Sequence, residues 1–218
     1  MKFKDFSLHI WVFYNLMSPF AAYTRKRRMQ LFGEWLGSAN NKPLRVLDLG
    51  GSSEIWEFVE RPLDITLLNL PGENRDRKKS RCHRFTYVEG DGCDVKAFGD
   101  QEFDLVFTNS VIEHVGDEEK QEAFAREVIR LGHRYWVQTP SKYFPIEAHC
   151  GMPFWWFYPA SWRDRLIKRW REKLPDWTDM VEGTRVLELE RLQQLFPNAK
   201  LKVERILGFP KSYILYTM

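Results

Sequence analysis

The sequence predicts an α/β domain whose mostly parallel sheet closes on an antiparallel hairpin. A helical arm precedes the sheet, and an aromatic segment is inserted after the fifth strand. Three observations carry this reading. Short apolar blocks alternate with helical patterns, the sign of a parallel sheet with helices on its faces. The run RVLDLGGSSEIW, Arg45 to Trp56, reads as a buried strand that ends on an acid and turns through two glycines into a helix. Near the end, Leu201–Leu207 and Ser212–Thr217 flank GFPK, a short connection suited to a hairpin. At 218 residues the chain suits one domain with appended segments.

Taken in order, residues 1–43 form the arm. Lys2 to Leu36 reads as one or two amphipathic helices broken near Pro19. Its apolar residues, Phe6, Leu8, Ile10, Trp11, Val12, Phe13, Leu16 and Met17, are interrupted by His9, Asn15 and Pro19. They fall short of the ~18 apolar residues a span needs, so neither a membrane helix nor a signal peptide is predicted. Residues 44–140 form the core, with strands at Leu44–Leu49, Ile65–Leu70, Phe85–Val88, Phe103–Thr108 and Tyr135–Gln138. A helix over Asp117–Leu131 places Phe124, Val128 and Leu131 on one face and charge on the other. Residues 141–183 are the insertion, and 184–218 a C-terminal helix and hairpin. A segment leaving the sheet at Pro140 is placed to cover whatever the Gly50 turn holds, because ligands of such sheets sit beyond the carboxyl ends of the strands.

The 33 basic and 30 acidic residues give a net charge of only +3, unlike a protein coated by nucleic acid. Basic clusters at Arg25–Arg28, Arg75–Arg84 and Arg163–Lys173 read first as solvated faces. Cys82, Cys93 and Cys150 cannot all pair within one chain and match no zinc spacing, so a reducing cytoplasm is expected and no metal is predicted.

The residues suited to chemistry gather at strand ends. Asp48 precedes the glycine turn, and Asp91 lies in YVEGDGCD after the third strand. Short acids there can accept hydrogen bonds from a nucleoside, or Asp91 can simply cap its turn. FDLVFTNSVIEHVGD supplies Asn109 and Ser110, then Glu113 and His114. With these motifs in this order, the chain resembles the class I S-adenosylmethionine-dependent methyltransferases, and most closely their broad branch of small-molecule and lipid enzymes with a VIEHV-type sequence. The resemblance spans about Leu44 to Pro140.

It implies a Rossmann-like, seven-stranded sheet and S-adenosylmethionine as cofactor. Asp48, Gly50 and Gly51 would line the methionine end, Asp91 and Gly92 the adenine, and Asn109 and Ser110 the side of the methyl group. Two positions depart from the family: Asn69 stands where an acid usually holds the ribose, and Ser52 or Ser53 replaces a third glycine. The neutral Asn69 amide forfeits the charge-assisted part of a ribose contact.

The insertion, VQTPSKYFPIEAHCGMPFWWFYPASW, resembles a segment found after the fifth strand in a subset of these enzymes. Glu147 and His149 would then project over the methyl group, with His149 as base for a hydroxyl or ammonium acceptor. Alternatively they pin the loop to the sheet. His114 reads as a packing or cofactor-shell residue.

Phe154, Trp155, Trp156, Phe157, Tyr158 and Trp162 suit a lid, an apolar acceptor pocket, or, with the basic run behind them, peripheral membrane contact. The expected activity is methyl transfer to an oxygen or nitrogen of a small apolar molecule or a lipid- or glycan-linked acceptor. RNA methylation is the competitor. Against it, no paired prolines and aromatic follow Asn109, and no Pro-Cys nucleophile is present. A scaffold that keeps the fold without chemistry is the other alternative.

Overall fold

The computed structural model describes residues 8–37, 42–73 and 80–218, and for residues 8–14 and 16 the backbone alone. The N-terminal apolar residues up to Tyr14, and Arg75–Lys79 of the second basic cluster, therefore lie outside the described side chains.

Seven strands form one sheet. β1 (Leu44–Leu49) sits inside it, parallel to β2 (Leu63–Asn69) and β4 (Leu105–Asn109). β3 (Arg84–Glu89) extends the sheet beyond β2, and β5 (Tyr135–Pro140) lies beside β4. β7 (Phe209–Tyr216) runs antiparallel to β5 and pairs with β6 (Lys200–Ile206), giving the order β3-β2-β1-β4-β5-β7-β6. This is the expected Rossmann-like sheet. Its topological switch lies between β1 and β4, where ligand crevices form.

The strands match the apolar blocks with small extensions, except that β2 ends at Asn69 and leaves out the expected Leu70. The fourth also differs, because Phe103 makes only an isolated bridge to Gly132. The Asp104 carboxylate instead accepts the Arg45 N–H at 2.7 Å, so β4 begins at Leu105.

Apolar clusters cover both faces. On one, α2 (Glu118–Leu131) packs Phe124, Ala125, Val128 and Leu131 against Leu47, Leu49, Val106 and Val137, joined by Leu192, Leu195 and Phe196 at α5 (Leu189–Leu195). Asp117 caps α2 by accepting the Lys120 N–H.

On the other face the helix expected after the glycine turn is replaced by a 3₁₀ segment, Ser53–Phe58. Pro62 biases Arg61 to extended backbone just ahead of β2, which leaves little chain for a full helix. α1 (Leu8–Leu36) covers the vacancy. It buries Met29, Phe32 and Leu36 against Val46, Ile65, Phe107 and Trp136. The helix runs unbroken through Pro19, contrary to the expected break. Ser18 and Pro19 are exposed, so the hydrogen bond Pro19 cannot donate is lost at the surface, and the docked C-terminal half holds the helix.

A second correction concerns the hairpin. Phe209, Pro210 and Lys211 belong to β7, and the turn is Leu207–Gly208 alone, both with positive φ (49° and 85°). A two-residue turn with both angles positive matches the twist of its strands.

After Pro140 the chain forms α3 (Ala160–Arg171) and α4 (Pro175–Gly183), which enclose a third cluster of Cys150, Trp155, Trp170, Leu174, Trp177 and Val181. The Trp170 ring lies 5.4 Å from Trp155 and 5.3 Å from Trp177. Phe154, Phe157 and Trp162 are each more than half exposed. Arg171 of the basic run pairs with Asp179 and Glu182, so that positive face is partly neutralised within its own unit. No described helix is long and apolar enough to cross a membrane.

Candidate functional site

The carboxyl ends of β1 to β4 open onto a cavity of about 770 Å³. Gly50, Gly51, Ser52, Asn69, Asp91, Gly92, Asn109 and Ser110, eight of the sequence-predicted residues, line it together. The glycine turn is shaped by close approach. Gly50 sits at φ 74°, where a Cβ would fall 2.8 Å from the Val111 methyls.

Asp48 lies beneath this turn, outside the cavity lining. A Cβ on Gly51 would stand 1.9 Å from its carboxylate. The Trp56 indole donates to one Asp48 oxygen at 2.8 Å, and the other has no partner among the described residues. Burial pushes the Asp48 carboxyl up to about 7, although the indole hydrogen bond works the other way. Asp48 thus supports the turn from below.

Asn69 donates its amide to the Gly51 carbonyl at 3.0 Å and ties the end of β2 to the glycine turn. A carboxylate there could not donate, which gives the unusual amide a structural reason. Asp91 accepts the Cys93 N–H at 2.8 Å and faces Lys120 at 3.5 Å. The backbone hydrogen bond, helped by Lys120 against partial burial, holds its carboxyl below the ordinary range. Asp91 caps its turn and borders the cavity at once.

The far wall contains residues the sequence reading assigned to solvent. Arg28 of α1 is buried. It donates to Asn109 at 2.7 Å, to Gln138 at 3.1 Å and to Glu204 at 2.9 Å. Ser110 donates to Gln138 at 3.0 Å, and Ser212 donates to Glu204. Asn109 and Ser110 are therefore set by a guanidinium that the basic cluster concealed. The spacing of Ala21, Thr24, Arg25 and Arg28, all lining the cavity, was the available signal. Lys211 joins them there, pushed down to about 8 by burial and the neighbouring Arg28 and Arg25 charges.

Beside Asn109 and Ser110, the loop that follows β4 and the insertion meet. Glu147 accepts the His149 Nδ1–H at 2.7 Å, and its other oxygen takes the backbone N–H groups of His149 and Cys150 at 2.6 and 2.7 Å. Burial opposes charging of both partners. Their mutual attraction outweighs it, so Glu147 lies below and His149 above the ordinary range. His149 Nε2 is 3.0 Å from His114 Nε2. Burial and the neighbouring His149 push His114 down to about 4.

Glu113, fully buried, accepts the Thr139 hydroxyl at 2.9 Å and is pushed up to about 7 by burial. The sequence left Glu113 without a role and suggested a packing or cofactor-shell place for His114. Glu147 borders a smaller adjoining cavity of about 100 Å³, lined by Phe20, Phe144, Ile146 and Trp156.

Comparisons with known proteins agree with this geometry. Residues 47–134 match the family model described as a methyltransferase domain. No curated protein matches the chain. A solved S-adenosylmethionine-dependent methyltransferase from Archaeoglobus fulgidus is similar at TM-score 0.55 and 10% identity, over 88% of this chain and 93% of that one. One from Thermotoga maritima gives 0.52 and 11%, over 94% and 98%. A Pyrococcus horikoshii protein gives 0.51 and 17%, over 88% and 89%.

The residues at the strand ends fit S-adenosylmethionine: a backbone turn open to close approach, polar side chains at the ends of β2 and β3, and a cavity of sufficient size. Residues 47–134 thus carry a methyltransferase domain, and the chain shares the fold of solved S-adenosylmethionine-dependent methyltransferases.

Proposed function

We propose that the chain transfers a methyl group from S-adenosylmethionine to an oxygen or nitrogen of a small, fairly apolar or lipid-linked acceptor, with Glu147 and His149 handling the acceptor's proton. The observation that carries this is the continuous array Glu147–His149–His114, linked at 2.7 and 3.0 Å, with both imidazoles on the cavity wall. Glu147 orients the His149 ring and stabilises its charged form, and Nε2 lies beside His114 at the cavity wall.

S-adenosylmethionine supplies an electrophilic methyl carbon on a sulfonium. Asp48 and Asn69 would support the turn at its methionine end, Asp91 and Gly92 would border its adenine, and Asn109 and Ser110 would flank the methyl group. Catalysis then rests on holding donor and acceptor in line and excluding water. The adjoining pocket of Phe20, Phe144, Ile146 and Trp156 suits the acceptor's apolar part. Segment 141–183 serves as the lid over residues 44–140.

The test is His149→Ala. Cofactor binding by calorimetry should persist while turnover falls roughly a hundredfold or more; unchanged turnover would overturn the assignment. The acceptor class comes from incubating extracts with the protein and isotopically labelled methyl donor, then finding by mass spectrometry the product that gains a methyl group.

A further inference from the structure

Three potential ligand atoms, one each from Glu113, His114 and His149, lie within 4.8 Å of one another. Their surroundings fix which atoms face inward. Glu147 acts only as an acceptor toward His149, so Nδ1 of that ring carries the hydrogen and Nε2 presents a lone pair. The Thr184 hydroxyl donates to the Met180 carbonyl at 2.8 Å and can only accept from His114 Nδ1, 3.5 Å away. In the tautomer in which His114 Nδ1 donates to this hydroxyl, His114 Nε2 also presents a lone pair.

Two imidazole lone pairs 3.0 Å apart repel each other unless a proton or a cation lies between them. Beside them, Glu113 is fully buried and its Oε1 has no partner among the described residues. Outer partners that orient each ligand, a carboxylate on one histidine and a hydroxyl on the other, are what metal-binding histidines use.

We infer that Glu113, His114 and His149 bind a first-row divalent cation that positions the acceptor's oxygen. Two nitrogens and one carboxylate suit Zn²⁺, Mn²⁺, Fe²⁺ or Co²⁺ better than Mg²⁺, which favours oxygen ligands. Ligand atoms on one such ion stand at most about 4.2 Å apart, so the widest pair closes by roughly half an ångström on binding. Three protein ligands leave coordination positions open, and both histidines border the cavity. This departs from the sequence-level expectation of no metal, since the ligands come from two distant segments and show no recognisable spacing.

The inference rests on the methyl-transfer reading, narrows it to an oxygen acceptor and makes His149 a ligand where that reading made it the base. A coordinated hydroxyl releases its proton to water. The resulting oxyanion forms the bond to the methyl carbon as the S–C bond breaks, and the sulfonium becomes a neutral thioether. In this loaded state His149 Nε2 is a ligand and does not itself take the proton.

The test is equilibrium dialysis of chelator-treated protein against Zn²⁺, Mn²⁺ or Co²⁺, with Mg²⁺ alongside. One ion per chain should bind for at least one of the three, with a dissociation constant on the order of micromolar. Glu113→Gln and His114→Ala, checked for folding by circular dichroism, should each weaken binding by about tenfold or more. Bound Co²⁺ should show visible absorption that both variants lose.

No stoichiometric binding of the three, binding unaffected by both variants, or a preference for Mg²⁺ would overturn the inference. The proton would then be the group shared between the two rings. Full methyl transfer after chelation would overturn the metal's role and leave the methyl-transfer reading intact. A chain that binds the ion through these residues yet methylates nothing would keep the metal site and overturn the methyl-transfer reading, and with it the ion's role in positioning an acceptor.

Discussion

At Asp48 the cost of burial is readable as a pH dependence. Its carboxyl is raised from 3.8 to about 7, so across that window the folded chain holds a proton that the unfolded chain has released. Stability therefore falls as pH rises from about 4 to about 7, and a shift of about three units corresponds to about 4 kcal/mol. Relative to wild type, Asp48→Asn should gain up to about that much unfolding free energy between about pH 4 and pH 8. Denaturant titration at both pH values checks this, and a gap that does not change with pH would show that Asp48 titrates normally. Asp48→Ala, which also removes the Trp56 hydrogen bond under the turn, should abolish cofactor binding in calorimetry; normal affinity would contradict the supporting role. The sequence placed Asp48 at the turn but could not show that it lies below the cavity, because that depends on where Trp56 docks eight residues later. Glu113 was hidden for a similar reason: only the fold brings it to His149.

Helix α1 takes over two tasks at the level of elements. It covers the sheet face that a helix after β1 would have covered, and it sends Arg28 into the cavity wall. Arg28→Ala leaves Glu204, Asn109 and Gln138 without their shared donor and should cost about 3–5 kcal/mol in guanidinium unfolding. Arg28→Lys should recover only part of this, since an ammonium lacks the planar fork that reaches three acceptors; full recovery would mean that charge alone matters. The parallel strands and α2 were legible because their burial imposes simple periodicity. The loss of the helix after β1 was not, since Ser53–Phe58 contains residues that suit a helix and only the fold shows that α1 covers that face. The hairpin turn was misplaced because Leu207 accepts a left-handed conformation that sequence patterns assign to glycine or asparagine.

Across the whole molecule, two clusters sandwich the sheet and a third, around Trp155, Trp170 and Trp177, stands within the insertion. Trp170→Ala should remove about 3–5 kcal/mol of local packing and speed tryptic cleavage between residues 160 and 183. The sheet's circular dichroism should persist; joint loss of both would show that the insertion and sheet unfold as one unit. The aromatics read in the sequence as one group, yet the fold divides them into this cluster and an exposed set, a division that depends on α3 and α4 closing over one another.

Arg28 also sets an order of events during synthesis. Its acceptors lie 81, 110 and 176 positions further along the chain. The guanidinium thus leaves the ribosome long before Glu204 exists to receive it. Contacts so distant in sequence form slowly and late. The wall of the cavity at the strand ends is consequently among the last parts of the molecule to become native, and the nascent chain cannot complete that wall before β6 and β7 have emerged.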